Sequence, residues 1–390
     1  MSPSPTSSFI VKIAGACNIN CTYCYMYNMG DTTFRSRPKV MSEEVASAAL
    51  HRIFEYSTRA GLQIAAIVIH GGEPLLSGKR WVAWFIDEAR RLTPPGLHLE
   101  IGLQTNGILL DREWIDLLAA RGIHLGVSLD GPAPVNDKRR LTFSGAGTYH
   151  QVRRAIDLLV AAGDAAPPWG VLTVADPGSS SVEIYRHFVE IGVDWMDFLW
   201  PDHHHDLPPP WPSGALGRYY TDLFDAWYGA ADRKITIRWF EDVMRAVLGG
   251  SSQLDAIGPK PLTELVIESD GSLEPLDVLR TCGDGMTRLG LDVLHHSVED
   301  LRGTGLFRMG LENQNHLSDE CRACPALSIC GGGYLPHRWK GATGFRNPSV
   351  HSADLLAVIT HISTRLRADV EAARARTPRA PGGASSLVFP

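Results

Sequence analysis

The sequence predicts an α/β fold built on a mainly parallel sheet, followed by a smaller second domain. Three observations carry that prediction. Short apolar strands alternate with helical stretches up to about residue 230, which gives roughly six strand–helix units. One strand, Ile64-Ala65-Ala66-Ile67-Val68-Ile69, is continuously apolar, as expected for a strand covered on both faces of a parallel sheet. The seven cysteines fall into two groups, three at 17 to 24 and four between 282 and 330, so two separate metal centres are expected.

Each element follows from the local pattern. Residues 1–8 read as a short polar tail. Phe9 to Ala14 alternates apolar and polar residues and reads as the first strand, running into the cysteine loop. Glu43 to Ala60 has helical spacing with Ser42 as its cap. After the apolar strand come a helix over Trp81 to Leu92, a strand over Leu99 to Leu103, a helix over Asp111 to Arg121 and a strand over Leu125 to Leu129. Helices over Tyr149 to Ala162 and Ser181 to Ile191 then alternate with strands over Trp169 to Val174 and Trp195 to Leu199. Gly214 to Ala231 and Ile237 to Leu248 read as helices leading away from the array. From Leu265 to Leu276 a strand, an Asp270-Gly271 turn and a second strand form a hairpin signal. Ser297 to Arg308 is helical, and Leu355 to Ala375 reads as a final helix. The expected organisation is a tail at 1–8, the α/β array at 9–235, a helical bridge at 236–260, a second domain at 261–346, a C-terminal helix within 347–376 and a disordered tail at 377–390.

The formal charge of -6 shows no polyanion-binding bias, so nucleic acid is not a favoured partner. No apolar run reaches membrane-spanning length and no secretory signal pattern precedes the first strand, so no membrane association and a cytoplasmic address are expected. In that compartment cysteines serve as metal ligands more readily than as disulfides. Cys17, Cys21 and Cys24 can each hold one iron of a four-iron cluster and leave the fourth open to another ligand. The competing reading is a zinc knuckle or a redox thiol pair; zinc needs a fourth Cys or His at short range, and the next histidine is His51. Cys321, Cys324 and Cys330, spaced Cys-x2-Cys-x5-Cys before three glycines, suit a second iron–sulfur centre, with zinc as the competing ion.

Active sites of α/β arrays lie at the C-terminal ends of the strands. There the sequence has His70-Gly71-Gly72-Glu73-Pro74, Gln104-Thr105-Asn106-Gly107 and Ser128-Leu129-Asp130-Gly131. Glycines allow close backbone approach, and a carboxylate beside them can accept hydrogen bonds from a ligand ammonium. Asp202-His203-His204-His205-Asp206, before three prolines, reads as a solvated loop with a candidate base for a substrate.

The Cys-x3-Cys-x2-Cys loop with Tyr23 before its last cysteine, together with Gly71-Gly72-Glu73-Pro74, resembles the radical S-adenosylmethionine (SAM) superfamily. The resemblance implies a partial (β/α)6 barrel whose [4Fe–4S] cluster binds SAM and cleaves it to a 5′-deoxyadenosyl radical, which abstracts a hydrogen atom from the substrate. It also implies SAM or substrate contacts from Tyr23, Tyr25, Gly71, Gly72, Glu73, Pro74, Gln104, Thr105, Asn106, Ser128, Asp130 and Arg139. The hairpin, Cys282 and the Cys321/Cys324/Cys330 motif resemble a small SPASM or twitch extension holding one auxiliary iron–sulfur cluster, which is the expected electron acceptor. Leu273-Glu274-Pro275-Leu276-Asp277, Cys330-Gly331-Gly332-Gly333 with His337-Arg338, and Asn347-Pro348-Ser349-Val350 further resemble the FxsB-type maturases. That likeness implies a precursor peptide substrate, a reductant such as flavodoxin or ferredoxin, and a three-residue cyclophane made by joining an aromatic ring to a side-chain β-carbon.

Two features depart from those families. A full SPASM domain carries seven cysteines, whereas four lie beyond the barrel here, which limits the chain to one auxiliary cluster. Ser352 stands where FxsB-type sequences carry cysteine, leaving Cys282, His351 or an open position as the fourth ligand. Little sequence precedes the first strand, so recognition of a leader is expected to fall to the second domain, with His337-Arg338-Trp339-Lys340 a candidate surface, or to a separate leader-binding protein.

Overall fold

The structure is a computed structural model that describes residues 4–230, 234–252 and 254–376. The expected disordered tail lies outside the described residues. The chain forms two units, one of residues 4–174, 186–202 and 261–312, the other of 175–185, 203–260 and 313–376.

The strands are β1 (Ser8–Ala14), β2 (Asn20–Cys21), β3 (Ile64–Gly71), β4 (His98–Thr105), β5 (His124–Ser128), β6 (Arg140–Leu141), β7 (Trp169–Val174), β8 (Trp195–Leu199), β9 (Thr236–Ile237), β10 (Leu265–Ile267) and β11 (Leu273–Glu274). In the first unit the sheet order is β11-β10-β1-β3-β4-β5-β7-β8, parallel throughout except for the β10–β11 hairpin. The parallel α/β array expected from the sequence is present, with the hairpin strand β10 laid parallel to β1 as a further strand.

The sheet has two unlike faces. Ile67, Ile69, Ile101, Leu103, Leu125, Val127 and Val171 are buried on one face. Helices with apolar stripes supply further core side chains; in Glu43–Arg59, Ala46, Ala49, Leu50 and Ile53 are buried and the Ser42 hydroxyl caps the Val45 N–H. The other face carries Ala66, Val68 and His70 on β3, Gly102 and Gln104 on β4, and Gly126 and Ser128 on β5, and it is half-buried. The apolar run at 64–69 is thus buried fully on one face alone. Small and polar side chains leave room on the other.

In the second unit, the helices Ala215–Tyr228, Arg238–Val247 and Ser352–Arg376 pack on one another around Tyr220, Phe224, Phe240 and Ile362. The helix expected over Ser297 to Arg308 is two helices, Val298–Arg302 and Gly305–Leu311, because the Thr304 hydroxyl caps the Phe307 N–H and starts a new one.

Candidate active site

The end of β3 is fixed by close backbone approach. A Cβ on Gly72 would lie 2.1 Å from the Tyr27 hydroxyl and 2.3 Å from the Ala16 carbonyl, so the turn accepts only glycine. Glu73 follows at 0% exposure. One of its oxygens accepts from the Leu75 N–H (3.0 Å) and the Thr105 hydroxyl (2.7 Å), the other from the Asn106 N–H (2.7 Å). A carboxylate offers about four acceptor positions, so one remains. Burial pushes the Glu73 carboxyl up against these hydrogen bonds; among the described residues no cation is in salt-bridge contact with it, and the charge of Arg140 lowers it from further away. A ligand ammonium would supply the missing countercharge, so this residue fits SAM.

Cys17, Cys21 and Cys24 lie half-buried in the preceding loop. Burial, together with the neighbouring thiols and Glu73, pushes the Cys17 thiol up to about 12. Coordination removes such protons and shares the charge with the metal. Among the described residues no three His, Cys, Asp or Glu side chains are arranged around one ion; a cluster instead takes one thiolate per iron. The Asn106 amide lies 3.7 Å from Cys17 Sγ and donates to the Asn18 side chain at 2.7 Å. Thr105 and Asn106 therefore tie the cysteine loop to Glu73.

The ends of β5 and β7 add a second group. The Tyr23 hydroxyl donates to Asp130 at 2.7 Å and accepts from Arg140 at 2.7 Å, while Asp130 also accepts from the Val174 N–H. Cys21 pairs with Arg140 in the β2–β6 ribbon, which brings that guanidinium to the loop. The sequence pointed instead to Arg139, whose guanidinium donates to the Val174 carbonyl and stands 4.8 Å from the Tyr23 ring centre. Burial raises the Cys21 thiol and both guanidiniums lower it, Arg140 more than Arg139. Gln104 donates to the Ser128 hydroxyl at 2.8 Å across β4 and β5. Tyr25 donates to Asp277 at 2.6 Å.

Asp277 belongs to a buried charge network that sequence reasoning missed. Lys12, at 0% exposure, pairs with Glu268 (3.0 Å) and Asp277 (2.8 Å); Arg280 pairs with Glu268 (2.5 Å) and Glu274 (3.1 Å), and Arg37 pairs with both glutamates. Burial works against ionised Asp277, but Lys12 and Arg280 outweigh it and hold its carboxyl well below the usual range. The available signal was Lys12 itself, a charge in the middle of a buried strand.

In the second unit Cys321, Cys324 and Cys330 line a cavity of about 350 Å³. Burial pushes the Cys330 thiol up to about 11, with Cys321 and Cys324 adding repulsion. Arg338 is fully buried beside them, and its hydrogen-bond acceptors are all neutral: Asn313 Oδ1, the Phe345 carbonyl and the His316 carbonyl. Burial lowers its pKa to about 10 while Cys321 and Cys330 work the other way. A buried cation with neutral partners beside three thiols fits a thiolate-bound, anionic centre. Cys282 is buried in the first unit.

The histidine loop is not solvated as expected. Asp202 ends the segment 186–202 of the first unit, and the residues after it pack into the second. His204 is buried, His205 is held by the Trp339 and Pro348 backbone carbonyls, and His203 packs against the rings of Trp211 and His351. The three side chains take separate partners and do not converge. His337 and Arg338 are buried too, which removes them from any leader-binding surface.

Thiols, a buried carboxylate and polar residues are thus gathered at the ends of the parallel strands. Residues 11–180 match the family model described as the Radical SAM superfamily, whose enzymes use a [4Fe–4S] cluster and SAM. A cysteine-type anaerobic sulfatase-maturating enzyme of Clostridium perfringens (strain 13 / Type A) is 26% identical over 351 residues, 84% of this chain and 88% of that protein. A serine-type anaerobic sulfatase-maturating enzyme of Klebsiella aerogenes is 25% identical over 351 residues, 86% of this chain and 81% of that protein. Among solved structures, native anSMEcpe with bound AdoMet has a TM-score of 0.81 at 22% identity, covering 93% of this chain and 99% of its own. Streptococcus suis SuiB bound to precursor peptide SuiA has a TM-score of 0.56 at 16% identity, covering 89% and 76%. These two likenesses show the fold. Among the described residues no helix is long and apolar enough to cross a membrane.

Proposed function

We propose that the chain is a maturase that oxidises a side-chain β-carbon in a ribosomally made peptide and joins it to an aromatic ring, giving a three-residue cyclophane. The observation that carries the radical part of this reading is the buried Glu73 carboxylate, with no salt-bridge partner among the described residues and tied to the three-thiol loop through Thr105 and Asn106. Cluster and SAM together supply one chemistry there, a radical that takes a hydrogen atom from carbon. Glu73 holds the SAM ammonium, and Arg140, steadied by Tyr23, provides a cation for an anionic group beside Cys21. Ala66, Val68, Gly102 and Gly126 leave the half-buried face open to a peptide side chain, whose confinement aligns the reacting carbon and excludes water. The β-carbon loses a hydrogen atom, the carbon–carbon bond forms, and the ring loses a proton and an electron. The net change is one hydrogen pair, and a one-electron acceptor takes the electron.

A second reading, oxidation of a peptide cysteine or serine, is supported by what the relatives' names say they act on. Both readings take a peptide and a flavodoxin- or ferredoxin-type reductant. The test is the mass of a co-expressed peptide encoded beside the gene, compared with the product from Cys21→Ala. Loss of a hydrogen pair confined by fragmentation to an aromatic-x-x window supports the cross-link. Loss of a hydrogen pair at a serine that gains aldehyde reactivity, or loss of a hydrogen pair together with exchange of sulfur for oxygen at a cysteine that gains it, supports the second reading.

A further inference from the structure

A β-carbon that has given up a hydrogen atom leaves a substrate radical that must still lose a proton, in either reading above, and a neutral base in the site speeds that loss. On the half-buried face of β3 to β5 the side chains are alanine, valine, glycine, glutamine, serine and one histidine, His70. Only the histidine takes up a proton near neutrality. It stands at the end of β3, next to the Gly71-Gly72-Glu73 turn and opposite Lys12 of β1 in the strand register. Its ring is half-buried, and Nδ1 is enclosed with no hydrogen-bond partner among the described residues. An enclosed nitrogen that served the fold alone would ordinarily be bonded.

The charged groups around the ring suit proton uptake. Burial lowers the His70 pKa from 6.5, so the imidazole is neutral at pH 7; Asp277 opposes that shift, Lys12 adds to it, and the Gly71 backbone and Glu268 oppose it. The same two carboxylates therefore steady the imidazolium once it forms. Asp277 itself is a poor acceptor. Its Oδ2 is taken by Lys12 at 2.8 Å and Tyr25 at 2.6 Å, and against burial Lys12 and Arg280 hold its carboxyl well below the usual range. Lys12 is spent on its two ion pairs.

We infer that His70 contacts the bound peptide and takes the proton that leaves the substrate radical. The inference rests on the maturase reading. In the cross-linking reaction the ring C–H bond breaks after the carbon–carbon bond has formed. Its proton passes to the neutral imidazole, aromaticity is restored, and the one electron in excess leaves to an oxidised iron–sulfur cluster. In the oxidation of a serine or cysteine the bond that breaks is O–H or S–H. The imidazolium returns its proton to solvent before the next turnover.

The test uses the iron-loaded full chain with SAM, dithionite and the synthetic peptide encoded beside the gene. Modified peptide formed per 5′-deoxyadenosine is compared between wild type and His70→Gln. A fall of about 100-fold is expected, the lower end of what a general base supplies. In the wild type the same ratio should drop as the pH falls through the native value of His70, below 6.5, and in the variant it should not change with pH. A ratio that stays at the wild-type value overturns the inference, including the case in which both products fall in step, as loss of a structural residue would cause. A variant that keeps the wild-type pH dependence overturns it too. Should His70→Gln fail to take up iron, His70→Ala supplies the ratio, and imidazole in the buffer restores it only where a base is missing. A wild type that cleaves SAM and leaves the peptide unmodified brings down the maturase reading and the inference with it, and that failure is told apart because it needs no variant.

Discussion

The two units bury ionisable groups in opposite ways. In the first, Lys12, Arg37 and Arg280 interlock with Glu268, Glu274 and Asp277, so each buried charge has a protein partner. In the second, Arg338 has neutral partners only and His337 is kept uncharged, with its pKa lowered to about 3 by burial. The network around Lys12 is electrostatically complete as a polypeptide, whereas Arg338 lies among neutral groups beside three thiols.

The most direct test of this contrast is removing metal. Anaerobic chelation should loosen the second unit, because metal–thiolate binding there is also folding free energy. Proteolysis should quicken roughly tenfold or more at 203–252 and 313–376, an opening of about 1.4 kcal/mol, while the cores of β3 to β5 stay protected. Equal sensitivity of both units, read by mass spectrometry of the fragments, would remove the contrast.

Lys12→Met attacks the completed side. It leaves Glu268 and Asp277 short of a buried countercharge, and breaking such a pair costs roughly 3–5 kcal/mol. The urea midpoint at pH 7 should fall with an unchanged slope. Because Asp277 is depressed below the usual carboxylate range, its contribution is intact above about pH 4 and is lost as the pH falls through the native value. The gap between variant and wild type should therefore narrow below about pH 4.

Glu73 is the exception within the first unit, a buried carboxylate with no salt-bridge partner among the described residues, under only the more distant charge of Arg140. Glu73→Gln keeps most of its hydrogen-bonding shape and removes the charge. Loss of one charge-assisted hydrogen bond, about 1.5–3 kcal/mol, should weaken SAM binding roughly 10- to 100-fold. Equilibrium dialysis with the iron-loaded protein checks this, and unchanged affinity would remove Glu73 from the site.

How much of this was legible follows from where each signal lies along the chain. Six parallel strands, from β1 to β8 apart from the short β2 and β6, could be read from local apolar runs, and both cysteine groups from their spacing. The hairpin was legible through Asp270-Gly271, but its place beside β1 was not, since no local pattern says which strand edge it joins. The charge network failed for the same reason: Lys12 and Glu268 meet only after the chain folds. The sequence singled out Arg139, and no local pattern separates it from Arg140, whose charge also acts on Cys21. The histidine loop misled because prolines and adjacent histidines look solvated, whereas backbone carbonyls at Trp339 and Pro348 hold His205 in place.

Arg338→Met tests the claim that the second unit awaits an anionic centre. Removing a buried cation beside a cluster disfavours its reduced, more negative state. The reduction potential of the centre at Cys321, Cys324 and Cys330 should fall by about 60 mV, the one-electron equivalent of tenfold. Spectroelectrochemistry measures it; an unmoved potential would make Arg338 a purely structural residue.

The smallest effect concerns His337 and runs with pH. Its imidazole faces the rings of Tyr334 and His351; burial lowers its pKa first, His203 and His204 lower it further, and Asp255 opposes them. Unfolded, it takes up a proton near pH 6.5, whereas folded it stays neutral down to about 3. The unfolded state therefore binds more protons across that window, and stability is lost as the pH falls from 6.5. One such group costs at most about 1.4 kcal/mol per pH unit. Other histidines titrate in the same range, so the informative quantity is the wild-type urea midpoint minus that of His337→Gln. Between pH 7.5 and 5.5 that difference should turn against the wild type by up to about 1.4 kcal/mol. A pH-independent difference would mean that His337 is protonated in the folded protein, and the second unit would then hold a paired charge as the first does.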